Sequence, residues 1–134
     1  MNAKFADSNV LIYLVSADER KASISQGILA DGLTISVQVL NECTNVLINK
    51  LKRPWDLTTE YLLSVRSQAK IVAVDEETHE RGVVIAMRYK LAIYDSMIVA
   101  AALMADCDTL YSEDMHHGLV VDNRLRVVNP FAAA

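Results

Sequence analysis

Apolar residues fall along this chain in two rhythms. Short β-prone runs, Ala3 to Ala6, Leu33 to Ser36, Ile71 to Val74, Thr109 to Ser112 and Leu125 to Val128, have the length and content of strands. Between them lie longer segments with helical patterning: Ser8 to Leu14, Glu19 to Ala30, Val37 to Leu51, Leu57 to Ala69, Glu76 to Tyr89 and Ser96 to Ala105. Alternation of this kind predicts an α/β fold, a parallel sheet covered by helices. Punctuation agrees with the divisions. Gly32 follows the second helix, Pro54 closes the third, and Asp56 and Asp75 stand where N-caps are expected. No linker or repeat divides the chain, so a single domain over 1–134 is expected.

Two helical segments carry more information than the rest. From Met97 to Ala105 every residue is apolar, and a helix that is apolar on all sides is a buried one. Its polar beginning at Asp95 and Ser96 then needs a polar destination inside the protein. In the segment Val37 to Leu51, Leu40, Cys43, Leu47 and Leu51 share one face, and Glu42 falls roughly 40° outside that apolar arc. That places Glu42 at a cleft margin.

Composition narrows the class. With 134 residues, 52% hydrophobic and 22% charged, the chain can bury a sizeable core and is not a disordered one. Aromatics are only 6%, so the core should be aliphatic. The first residues lack the apolar stretch of a signal peptide, and the run Met97 to Ala105 is too short to cross a bilayer, so a cytoplasmic protein without a membrane partner is expected. Cys43 and Cys107 have no paired spacing that suggests zinc and are expected as buried reduced thiols. The net charge of −4 does not advertise a nucleic-acid binder, because affinity for phosphates comes mainly from Lys and Arg. Divalent cations held by carboxylates would reverse that local sign.

Asp7 and Asp114 lie just beyond the first and fourth candidate strands, and ligands of open α/β sheets bind at the carboxyl ends of strands. Asp95 and Glu42 supply two further acids with reason to face an interior cleft. Asp75 also follows a strand, and periodicity does not separate it from Glu42. Each acid has a plain structural role too: Asp7 and Asp95 as N-caps, Asp114 in a turn, Glu42 on a solvated face. Their joint occurrence favours one acidic pocket. Magnesium takes oxygen ligands in an octahedron and keeps several waters, so a few carboxylates suffice to hold it. Such an ion can activate water for attack on phosphorus, and no histidine or serine nucleophile is then required.

Three stretches of text are more specific: Phe5-Ala6-Asp7-Ser8-Asn9-Val10-Leu11-Ile12-Tyr13, Tyr94-Asp95-Ser96-Met97-Ile98-Val99-Ala100-Ala101-Ala102, and Leu110-Tyr111-Ser112-Glu113-Asp114-Met115. Together they resemble the PIN-domain ribonucleases, especially VapC-type toxins of toxin–antitoxin systems. The resemblance implies a three-layer α/β/α fold with a central, mostly parallel sheet. It implies Mg2+, with Mn2+ as an alternative, held mainly by Asp7 and Asp95 and completed by Glu42 and Asp114. It also implies RNA cleavage, a cognate antitoxin partner and a homodimer. The resemblance, not the spacing, selects Glu42 over Asp75. Ser112 matches a position that is Thr or Ser in such proteins, and Ser8 and Asn9 extend the first motif, so these three orient ligands or water, or else serve as caps and turns.

One stretch departs from the pattern: Met115-His116-His117 stands where a further acid or aromatic often follows. Adjacent histidines point in different directions, so a solvated loop is expected there. Lys50, Lys52 and Arg53 are candidates for touching RNA phosphates, although cations at a helix end also fit the macrodipole, and that role is favoured. Rival readings are a nuclease of RNA maturation, which the same residues would serve, an inert partner-binding module, and a receiver domain. The last lacks paired acids after the first strand, and no lysine occurs beyond Lys90.

Overall fold

A computed structural model of the chain describes residues 3–132. Its strands are Lys4–Ala6 (β1), Leu33–Ser36 (β2), Ala69–Val72 (β3), Thr109–Tyr111 (β4), Val120–Val121 (β5) and Leu125–Val128 (β6), joined in one sheet in the order β3-β2-β1-β4-β6-β5. All neighbours run parallel except β5 and β6. The helices are Ser8–Ile12 (α1), Glu19–Ala30 (α2), Val37–Asn45 (α3), Trp55–Gln68 (α4), Glu76–Tyr89 (α5) and Ile93–Met104 (α6), with a 3-10 turn at Tyr13–Val15 and a π-helical turn at Val46–Lys50. The connections from β1 to β2 and from β2 to β3 step one way along the sheet; the one from β3 returns past β1 to β4. Right-handed crossovers then put α2 and α4 on one face and α5 and α6 on the other, the expected three layers.

The same order makes a topological switch point between β1 and β4, which pair through Phe5↔Leu110 and Ala6↔Tyr111. The two connections leave these strands in opposite directions, so a crevice opens at their carboxyl ends. The segments after them begin at Asp7 and Ser112.

The core is aliphatic, as the composition predicts: Leu11, Ile35, Leu47, Ile98, Leu110 and Leu125 are fully buried, with Phe5. Residues Ser96 to Leu103 of α6 are all buried, which is why that segment carries no polar face. Gly82 of α5 lets the two helices meet closely, since a Cβ there would stand 2.8 Å from Met97 Sδ.

Several boundaries differ from the sequence reading. α6 starts at Ile93 rather than Ser96, because Ser96 N–H closes the first turn onto the Ala92 carbonyl at 2.9 Å. β3 is shifted two residues earlier than Ile71 to Val74. Its four pairs with β2 begin at Leu33↔Ala69, and the following residues lead into the capping box of Asp75 and Thr78 that starts α5. Asp75 is thus an N-cap as expected, whereas Asp56 is not: Pro54 holds that position and Asp56 lies in the first turn of α4. The segment expected as one helix to Leu51 changes to π geometry after Asn45, with Leu51 N–H donating to the Val46 carbonyl at 2.9 Å. The extra residue in that turn takes Leu51 out of phase with Leu47, so Leu51 is 47% exposed while Leu47 is buried. The antiparallel β5 was not anticipated. It reaches β6 through a tight turn in which Asp122 and Asn123 both have positive φ, 52° and 55°, a conformation these two residue types tolerate.

Both cysteines are free and buried; burial pushes the Cys43 thiol up to about 12 and that of Cys107 to about 11. Among the described residues no helix is long and apolar enough to cross a membrane.

Candidate active site

Asp7 follows β1 directly and caps α1: its Oδ1 accepts the Ser8 N–H at 2.7 Å. Its Oδ2 accepts the Ser112 hydroxyl at 2.8 Å and the Asn9 side-chain amide at 3.3 Å. Only 3% of Asp7 is exposed, and burial raises its pKa to about 6 against the opposing pull of the Ser112 and Ser8 hydrogen bonds. The negative charges of Glu42 and Asp95 push the same way as burial.

Glu42 arrives on α3, which packs beside α1. Its Oε1 accepts the Ser8 hydroxyl at 2.9 Å, and its Oε2 accepts Gln38 Nε2 at 2.9 Å. Asp95 occupies the third position of α6, where Ala92 and not Asp95 is the N-cap. Its pKa is raised by burial first, then by Glu42 and Asp114. Asp114 is exposed in the loop after β4 and accepts Asn9 Nδ2 at 3.2 Å.

The amide of Asn9 therefore stands between the first acid and the last. Its Oδ1 accepts the Glu113 N–H at 3.1 Å, which ties the loop to α1. Ser112, fully buried, donates to Asp7 while accepting the Met115 N–H at 3.2 Å. Ser8, Asn9 and Ser112 thus lie within the acidic cluster and bond its carboxylates. Asp75 does not join it: it holds the start of α5 after the edge strand β3 and accepts the Thr78 N–H at 3.0 Å.

No lysine, arginine or histidine pairs with Asp7, Glu42, Asp95 or Asp114 among the described residues. Like charges are gathered, one of them nearly buried, without a protein cation to offset them. An all-oxygen, net-negative donor set of this kind fits a hard divalent ion. As the side chains stand, no group of three or more His, Cys, Asp or Glu among the described residues is drawn tightly enough to hold an ion by itself.

Two neighbours of the cluster were not singled out in the sequence. Gln38 lies one helical turn before Glu42, an i, i+4 pair that the α3 pattern contains. Glu113 accepts from Lys21 at 2.6 Å and from the Tyr13 hydroxyl, and Lys21 Nζ stands 4.6 Å from the centre of the Tyr13 ring. Those partners are separated by 92 residues and leave no local signal. His116 and His117 are exposed, and His117 Nδ1 accepts the Asn129 N–H at 2.9 Å, away from the acids. Arg53 lines a separate cavity between α2 and α4, while Lys50 borders one that adjoins the acids.

Residues 4–119 match the profile of the PIN domain. No curated protein sequence matches the chain. Among solved structures, a toxin–antitoxin complex from Klebsiella pneumoniae is similar with a TM-score of 0.73 and 22% identity, over 98% of this chain and 100% of that one. A sarcin-ricin loop cleaving toxin from Mycobacterium tuberculosis superposes with a TM-score of 0.67 at 15% identity, over 84% and 90%. The FitAcB structure from Neisseria gonorrhoeae gives 0.61 at 17%, over 97% and 99%. At these identities the likeness is one of fold.

Proposed function

The chain belongs to the PIN-domain family, and from that premise we propose that it is a divalent-metal-dependent endoribonuclease and the toxin of a toxin–antitoxin pair. The observation that carries the reading is the convergence of Asp7, Glu42, Asp95 and Asp114 on the switch point of the sheet, with no cation paired to them among the described residues.

Asp7 and Asp95 would hold Mg2+ or Mn2+ most directly, with Glu42 and Asp114 completing the shell. When bound, the ion supplies positive charge for the phosphate and acidifies water at the site for hydrolysis of the phosphodiester. The protein's own part is positional. Ser8 and Ser112 hold the two oxygens of Asp7 from opposite sides, and Ser8 with Gln38 does the same for Glu42. Asn9 keeps Asp114 at a fixed reach from Asp7. Ser112 and Ser8 also favour the ionised form of Asp7, the form a hard cation needs, where burial opposes it.

The partner in this reading is a protein antitoxin, the resting assembly a homodimer and the setting the cytoplasm. The similar fold in a toxin–antitoxin complex from Klebsiella pneumoniae supports the first. Val84 and Met87, exposed on α5, offer apolar surface for contact with another chain.

Incubation of the purified protein with structured RNAs tests the proposal. Cleavage in magnesium or manganese that chelator abolishes is the expected result. Undiminished cleavage in excess chelator, by protein free of contaminating nuclease, or no cleavage in any metal, would overturn it.

A further inference from the structure

Next to the acids lies a cavity of about 350 Å³ that shares Ser8, Asn9 and Asp114 with them. Its far side is built from different material: Ile12 and Tyr13 at the end of α1, and Val46, Lys50 and Leu51 around the π-helical turn. The volume falls within the roughly 300–1,000 Å³ of small-molecule sites. One end of the cavity is acidic and the other combines an apolar wall with an ammonium group.

Lys50, exposed on the rim, is the cavity's only lysine or arginine among the described residues. It borders a cavity lined also by Glu113 and Asp114, yet makes no hydrogen bond or ion pair among the described residues. Glu113 is already neutralised by Lys21 at 2.6 Å. In a chain of net charge −4, an unpaired cation beside a proposed phosphodiester site is complementary to the phosphate next along the strand. The Tyr13 hydroxyl is held by Glu113 and Lys21, which orients its ring at this wall. Leu51, turned outward by the π geometry, extends the apolar wall into solvent. Unstacked bases of single-stranded RNA bind apolar and aromatic surface of this kind while cations track the backbone.

We propose, resting on the nuclease reading above, that this cavity seats the RNA nucleotide adjacent to the bond that is cut, with its base against Ile12, Val46 and Leu51 and its phosphate on Lys50. Lys50 and Leu51 are then binding residues that set which sequences are accepted, and they take no part in the chemistry.

The test uses the full-length protein in magnesium with a 2′-O-methyl RNA hexamer as probe, followed by methyl resonances. The Ile12, Val46 and Leu51 methyls should shift on titration. Lys50→Gln should weaken binding several-fold and lower the slope of log affinity against log salt by about 0.7, the loss of one single-strand phosphate contact. Leu51→Asp, at an exposed position, should weaken binding with the fold intact. Methyls that stay unmoved overturn the inference, as does wild-type affinity in both variants; a cavity that takes a protein side chain instead would give that result. RNA cleavage by a wild type whose methyls do not respond would leave the nuclease reading standing and remove the subsite. Methyl shifts in a protein that never cleaves RNA would remove the nuclease reading and, with it, the subsite as defined here, leaving only an RNA-binding cavity.

Discussion

The Ser112 hydroxyl donates to Asp7 Oδ2 at 2.8 Å, joining the ends of β4 and β1 across 105 residues of chain and between two buried groups. Ser112→Ala leaves a buried carboxylate short of a donor and the Met115 N–H short of an acceptor. The expected cost is about 1–3 kcal/mol, read in urea melts. Ser112→Thr keeps the hydroxyl and should recover most of it. Wild-type stability in the alanine variant would show that water replaces the serine freely.

Asp7→Asn and Asp95→Asn preserve shape and remove charge. Each should lose activity on RNA by more than the roughly 10–100-fold typical of residues that only support a metal ligand. Asn9→Ala, which cuts the link between Asp7 and Asp114, should fall within that range. Asp75→Asn is the control, because asparagine caps a helix as well as aspartate does and Asp75 stands apart from the cluster. Full activity in both of the first two variants would return these acids to structural roles.

Stability in chelator should depend on pH through Asp7. Its folded pKa, about 6, lies above the ordinary 3.8, so the native state holds the proton more tightly than the unfolded state. The contribution is fully present below about 3.8 and is lost as pH rises through about 6. Two pKa units correspond to roughly 2–3 kcal/mol. Wild type should therefore lose more stability than Asp7→Asn between the two ends of that window. Parallel pH profiles for the two proteins would contradict the assignment.

Asp95→Asn in chelator should melt no lower than wild type. The cap of α6 is Ala92, so the substitution removes no capping bond, and the raised pKa of Asp95 marks a site where the charge is unwelcome without an ion. Magnesium should then raise the melting temperature of wild type more than that of the variant, at matched ionic strength. Equal gains in both would show that the ion does not engage Asp95.

Lys21→Met should loosen the loop that carries Asp114, because Lys21 and Tyr13 are what hold Glu113. Amide exchange should speed up at Glu113 and Met115 and stay unchanged in β2 and α5. Unaltered exchange at the loop would mean that Asn9 and Ser112 suffice to fix it.

The parts legible in the sequence are those with local chemistry behind them. α2, β2 and α5 have the expected limits, and for α5 the reason is visible in Asp75 and Thr78, which cap each other. Asp95 misled the reading of α6 because aspartate is a good N-cap residue, whereas here it sits inside the first turn and its carboxylate faces the acids. β5 escaped notice since two residues offer no periodicity, although the Asp122-Asn123 turn before Leu125 was a usable sign. The choice between Glu42 and Asp75 lay beyond periodicity. It depends on strand order, which puts β3 at the sheet edge and lets α3 carry Glu42 in beside α1. Long-range partners such as Lys21 and Glu113 are set by the same order and leave no trace along the chain.

The π-helical turn at Val46–Lys50 amounts to a slip of phase within a helix. An added residue rotates everything after it by about 100°. Removing one residue, Ile48 for instance, would return the segment to α geometry, swing Leu51 inward beneath Leu47 and carry Lys50 off the cavity wall. The carboxylates would stay where they are, because Glu42 precedes the turn and the other three sit on different elements. Gaining or losing a single codon here is thus a route by which such a protein changes the reach of its binding surface without disturbing its acids.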